Sequence, residues 1–270
     1  MGKEKACLLW IGTVVFAFSV AHAQSPQQII QQVVNTEHAA DENDHSQWGY
    51  LEEIHKPKEQ VLQRVAGTQQ GNVQLVIERN GERLSASEQR DLIQNFLRDP
   101  RAQKKQISES NHDIQQIEDL LELLPVGFVW TQTGATATET FLHFEPAPHF
   151  HPPTREARVF GSMAGDIVID NEQHRIRSMN GHLMREVRFG GGILGKLKEG
   201  SSFSLEQEQV GPSLWQLTAF HLRLEGDALL FKSISLQEDD ERSDFKPEPS
   251  TITLDQAATE IMSQPEIAVF

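Results

Sequence analysis

Residues 158–189 read RVFGSMAGDIVIDNEQHRIRSMNGHLMREVRF. Four short runs in this stretch, Arg158–Ser162, Asp166–Asp170, Arg175–Met179 and His182–Phe189, carry strand-forming residues, and turn pairs stand at Asp170-Asn171 and Asn180-Gly181. Short runs separated by turn residues are the mark of antiparallel strands. A parallel sheet would need crossover helices, and the gaps here leave no room for them. The fold class this predicts is mainly β (α+β): a curved, unclosed antiparallel β-barrel or sheet with a helical lid or insertion.

The same signal extends in both directions. Upstream, Phe128–Gln132 and Glu139–Phe144 read as strands, with connections at Gly134, Pro146 and Pro148. Downstream, Phe203–Gln209, Trp215–Glu225 and Leu229–Glu238 follow, with connections at Gly211-Pro212 and Gly226-Asp227. Leu214, Phe220, Leu222 and Leu224 share one parity, while Trp215, Leu217 and Ala219 share the other. That mixture predicts a strand covered on both faces. Nearer the N-terminus, Trp48–His55 and Val73–Glu78 read as strands. Pro57 and Gly67 mark a boundary and a turn between them, and Asn80-Gly81 is a hairpin signal.

The period changes at Ser85. Ser85-Ala86-Ser87-Glu88 is a capping box, Leu92, Ile93, Phe96 and Leu97 continue one helical face, and Asp99-Pro100 ends it. Ile114, Ile117, Leu120, Leu121 and Leu124 give a second helix from about Asp113 to Leu124, stopped by Pro125 and joined to the first by the polar, basic stretch Arg101–Lys105. Pro26–Ala40 is a short amphipathic helix on Ile29, Ile30, Val33 and Val34, and Asp41–Ser46 is an acidic polar break. The expected organisation is a signal peptide (1–23), a helix and polar break (24–46), one β domain (47–245) with a helical insertion (85–124), and a C-terminal tail (246–270) holding a weak helix near Leu254–Met262.

Lys3 and Lys5, the uncharged apolar run Ala6–Ala21 and the small residues of Ala21-His22-Ala23 read as a secretory signal. The run is about 16 residues, short of the ~20 that span a bilayer. Cleavage after Ala23 is expected, leaving a chain that begins at Gln24, has no stable membrane span and lies in the periplasm or outside the cell. The whole chain has 270 residues, 39 acidic and 24 basic, for a net charge of −15. Removing Lys3, Glu4 and Lys5 takes away a net +1 and leaves −16. That balance argues against nucleic acid, which needs a basic footprint. The only cysteine is Cys7, inside the signal, so the remaining chain offers no disulfide, thiolate nucleophile or thiolate metal site.

Ile77-Glu78-Arg79-Asn80-Gly81-Glu82-Arg83-Leu84-Ser85, Phe144-Glu145-Pro146-Ala147-Pro148, Gly165-Asp166-Ile167-Val168-Ile169-Asp170 and Phe189-Gly190-Gly191-Gly192-Ile193-Leu194-Gly195 are turn and strand signatures. With the order of elements, they resemble the LolA/LolB-like fold of periplasmic lipoprotein carriers and related envelope sensors, over roughly Gln47–Phe245. In particular the chain resembles uncharacterised secreted bacterial proteins of that architecture. The resemblance implies an unclosed antiparallel barrel under a helical lid. The helical pair 85–124 is longer and more charged than a minimal carrier lid.

No motif supports catalysis. Gly190-x-Gly192-x-x-Gly195 matches a dinucleotide fingerprint only formally, because no helix follows to hold a pyrophosphate; it reads as a bend between strands. Ser162 in Gly161-Ser162-Met163-Ala164-Gly165 lacks the spacing and context of a nucleophile elbow. Asp166 and Asp170, four apart on one strand, sit about 13 Å apart, beyond the ~5–9.5 Å of glycosidase carboxylates. His143, His149 and His151 could ligate a metal ion and support a metal-dependent hydrolase, but the Pro-flanked context favours a loop with exposed histidines. Arg175, Arg177, Arg185 and Arg188 read as cross-strand partners of acids.

The expectation is a non-enzymatic protein without a cofactor or metal that binds an apolar or amphipathic ligand, a lipid acyl chain or a lipoprotein segment. The expected ligand-binding residues are Ile114, Ile117, Leu120, Leu121 and Leu124 on the helical stripe, faced by Phe128, Trp130, Trp215 and Phe220. The alternative is an envelope module that binds another protein.

Overall fold

The computed structural model describes residues 24–192, 194–228 and 232–265. The proposed signal segment lies outside the described residues. The described chain is mainly β. Its strands are β1 (Gln47–Lys56), β2 (Glu59–Thr68), β3 (Gly71–Arg79), β4 (Glu82–Arg83), β5 (Phe128–Ala135), β6 (Glu139–Pro146), β7 (Met163–Asp170), β8 (Ile176–Leu183), β9 (Val187–Phe189), β10 (Gly195–Leu197), β11 (Ser202–Gly211), β12 (Leu214–Ala228) and β13 (Lys232–Glu248). The helices are α1 (Pro26–Asn43), α2 (Ala86–Leu97), α3 (Pro100–Leu121), α4 (Leu124–Gly127), α5 (Arg155–Phe160) and α6 (Leu254–Ser263).

All thirteen strands form one antiparallel sheet in the order β4-β3-β2-β1-β13-β12-β11-β8-β7-β6-β5, with the β9–β10 hairpin joined to β12. β4 and β5 are its two ends, so the sheet does not close. Two apolar cores lie at opposite ends and on opposite faces. The first packs Ile30, Val33 and Val34 of α1 against Phe128, Trp130, Leu142, Phe144, Ile167, Met179 and Leu183. The second packs α2 and α6 against β2 and β3 through Ala66, Val73, Leu75, Ile77, Ile93, Ala257 and Ile261. The register shows the change of face. Leu205 beside the first core pairs with Phe220, then Asp240 and Ile54, whereas Leu51 beside the second core stands three residues from Ile54, on the other side of β1.

A polar network occupies the sheet between the cores. Glu52 is 5% exposed, accepts from Gln63 Nε2 at 2.6 Å and pairs with Arg242 Nε at 3.1 Å. Arg242 also binds Asp240 at 2.6 Å and lies 5.3 Å from the Tyr50 ring centroid. Burial pushes the Glu52 carboxyl above its usual range despite the opposing Arg242 charge. It drives the Tyr50 hydroxyl up to about 12.

Several expectations are corrected. Arg158–Ser162 is not a strand: α5 covers Arg155–Phe160, with Thr154 accepting from Ala157 N at 3.0 Å as its N-cap. Arg101–Lys105 is not a connector but the first turns of α3, which opens with Pro100 after the Asp99 cap. Pro57 to Gly67 holds the missed strand β2. Asp41–Asn43 is helical, because α1 runs on to Asn43.

Asn180-Gly181 is no turn but the middle of β8. A Cβ at Gly181 would lie 2.7 Å from the Phe203 ring, and one at Gly165 would lie 1.9 Å from Asn180 O. These glycines let rings and backbone approach across the sheet. The helix expected near Leu254–Met262 is α6, which buries Leu254, Ala257, Ala258 and Ile261, and before it β13 continues to Glu248. Thr253 caps α6 through a reciprocal box with Gln256. Thr253→Ala should cost about 1 kcal/mol and speed amide exchange in α6 ahead of the rest of the second core. Uniform exchange changes across the sheet would contradict this.

The two-parity strand has a different explanation from double coverage. Glu206 pairs with Ala219, yet Gln207 pairs with Leu217, so Thr218 is an extra residue in β12. Such a bulge shifts the phase of alternation. Trp215 and Leu217 before it therefore join Phe220, Leu222 and Leu224 after it on one face.

Candidate functional site

α1 and α3 stand over the start of β12 and flank a half-open cavity of about 790 Å³. The α1 wall begins at the Ser25 capping box and is anchored by Ile30 and Val33, both fully buried in the first core. Beyond that anchor Glu37 pins the helix to β8. Its carboxylate accepts from Ile176 N at 2.8 Å and pairs with Arg175 at 2.8 Å, the two side chains only 10% and 11% exposed. His38, Ala39, Ala40 and Asp41 then line the cavity.

The opposite wall is the C-terminal half of α3. None of its 22 residues is buried, so this amphipathic helix presents an apolar stripe with little to cover it. Ile114 and Ile117 are 44% and 65% exposed, and both line the cavity with Leu121. The floor comes from Leu214, Trp215 and Leu217. Trp215 is fixed by donating Nε1–H to Gln173 Oε1 at 3.0 Å, with the Arg177 guanidinium 5.5 Å from its ring centroid.

Of the expected ligand-facing residues, the structure brings Ile114, Ile117, Leu121 and Trp215 around one cavity. Leu124, Phe128 and Trp130 are not there: they are buried in the first core. α3 ends at Leu121, the chain turns into α4, and Trp130 donates its ring N–H to Leu124 O at 2.8 Å, tying Leu124 to the sheet. Leu120 is half-buried and Phe220 lies beyond the bulge; neither lines the cavity. The α1 wall was missed. Glu37, Ala39, Ala40 and Glu42, good helix formers spaced among poorer ones, are the signal that the helix continues past Ala40.

The other motifs find partners elsewhere. His143 bonds Asp166 across β6 and β7 at 2.9 Å, and His151 Nδ1 lies 2.8 Å from the His149 carbonyl. No group of three or more His, Cys, Asp or Glu placed to hold a metal ion occurs among the described residues. Asp170 accepts from Glu172 N and Gln173 N in its turn. Arg177 pairs with Glu139 and Asp170, and Arg188 with Glu186. Gly190–Gly192 forms a turn after β9, with φ of 55° and 66° at Gly190 and Gly191, and β10 follows. None of the described helices is long and apolar enough to cross a membrane.

Compared with family models, curated proteins and solved structures, the chain matches none.

Proposed function

We propose that the protein is a non-enzymatic binding protein of LolA-like build, exported to the periplasm or beyond the cell, that takes an amphipathic ligand such as an acyl chain or a lipoprotein segment between α1 and α3. One observation carries this reading: the exposed Ile114–Ile117 stripe faces Trp215 and Leu217 across about 790 Å³, within the ~300–1,000 Å³ typical of ligand sites. Each methylene buried there would contribute about 0.8 kcal/mol.

Ile117→Asp is the decisive variant. Its side chain is exposed, so stability should change by less than about 1 kcal/mol. A carboxylate on the stripe must be desolvated by any bound chain, so binding of dodecyl maltoside below its micelle concentration, followed by calorimetry, should be lost. Lipid extraction of natively purified protein, read by mass spectrometry, should recover an amphiphile from wild type and not from the variant. A wild type that binds no probe and carries no lipid would remove the reading and leave the alternative, a face that binds another envelope protein.

A further inference from the structure

The lining of the cavity between α1 and α3 combines the apolar stripe and Trp215 with several carboxylates. Among the described residues its carboxylates are Glu37, Asp41, Asp44 and Glu118, and its basic side chains are Arg175 and His38, with no lysine. The internal bonds of these groups decide what remains for a ligand. Arg175 is bound to Glu37, so the one guanidinium is not free to receive an anionic head. Asp44 accepts from Ser46 N at 2.8 Å. Asp41 on α1 and Glu118 on α3 have no side-chain hydrogen bond or ion pair among the described residues. They stand on the two opposite walls, and Glu118 lies one helical turn from Ile114 on the apolar stripe.

We infer that the ligand of this cavity is an amphiphile with a positively charged, amine-type head. Its apolar chain lies between the Ile114–Ile117 stripe and Trp215, and its head lies between Asp41 and Glu118. This rests on the binding function proposed above and adds the chemistry of the head group. A fatty acid or alkyl sulfate would bring a like charge to a lining whose one guanidinium among the described residues, Arg175, is already neutralised by Glu37. An ammonium head meets two unpaired carboxylates, and the net charge of the whole chain, −15, acts in the same direction at longer range.

Three twelve-carbon probes separate head from chain: dodecyltrimethylammonium, dodecyl sulfate and dodecyl maltoside, each below its micelle concentration and titrated calorimetrically into the intact protein. The ammonium probe should bind about ten-fold or more tighter than the sulfate, with the gap narrowing as salt rises. Asp41→Asn with Glu118→Gln should erase that preference, read as the ratio of ammonium to sulfate affinity. Glu206→Gln with Glu208→Gln removes the same charge from exposed positions outside this cavity and should leave the preference in place. Equal affinity for the charged probes, tighter sulfate binding, or a preference that survives the Asp41→Asn/Glu118→Gln variant or falls equally in the control variant would overturn the inference while leaving maltoside binding intact. Failure of all three probes would remove the binding function itself.

Discussion

Glu37→Ala is expected to lower the unfolding free energy by about 3–5 kcal/mol and to abolish amphiphile binding along with it. The carboxylate does two jobs in a nearly dry place: it satisfies Ile176 N and neutralises Arg175. Arg175 Nε already has no acceptor, so removing Glu37 leaves the guanidinium buried with its charge uncompensated. The α1 wall also loses its tie to β8 just where the helix leaves the first core and begins to line the cavity. Urea titration of Glu37→Ala beside Glu37→Ala/Arg175→Met separates the two effects. The second change removes the orphaned charge, so it should recover much of the lost stability. It should not recover binding, because the wall stays untied. A single variant within 1 kcal/mol of wild type would mean that the pair behaves as a surface contact.

The strands with clean turn boundaries were legible in the sequence because their side chains alternate against a single core, as Leu142 and Phe144 do in β6. β2 was not, since both of its faces are covered. Val61 and Val65 lie on one side, Leu62 and Ala66 on the other, and Gln63 is buried because Glu52 accepts its amide proton. A buried glutamine reads as solvent-facing until its partner is known. α5 spans too few residues to display a helical period. The first half of α3 is polar around its circumference and packs little, so no apolar stripe announced it. β12 misled for another reason: one extra residue, Thr218, exchanges the parities, and nothing in the local sequence marks a bulge at a threonine.

The cavity was partly legible. Helical spacing picked out Ile114, Ile117 and Leu121, and the aromatic Trp215 was a natural facing wall. Spacing could not show where the stripe stops being surface. Leu124 continues the same 3-4 pattern, yet it falls after the break between α3 and α4 and enters the core with Phe128 and Trp130. Residue type is the same on both sides of that break; chain direction decides which leucine meets a ligand and which meets the sheet. The lining carboxylates carried no sequence signal, because an acid beside an apolar groove and an acid on a solvated face look alike until Asp41 and Glu118 are seen on opposing walls.

Arg242→Met is the second large effect expected, again about 3–5 kcal/mol of destabilisation. Arg242 is the only cation bound to Glu52 and Asp240 among the described residues, and both carboxylates are buried on the sheet. Truncating it strands two negative charges beside the Tyr50 ring, whose hydroxyl is itself held neutral by burial. Adding Glu52→Gln and Asp240→Asn to Arg242→Met removes those charges and should restore a large part of the loss. The network also sets a pH dependence. The folded-state pKa of Glu52 is raised, so its protonated form is favoured by folding. Its contribution is therefore full below the unfolded value near 4.5 and declines as pH rises through the higher folded value. Glu52→Gln does not titrate, so its stability relative to wild type should improve as pH is raised across that window. Urea titrations of both proteins from below to well above pH 4.5 read the difference directly. A difference that is flat, or that falls with pH, would show that the Arg242 charge outweighs burial at Glu52.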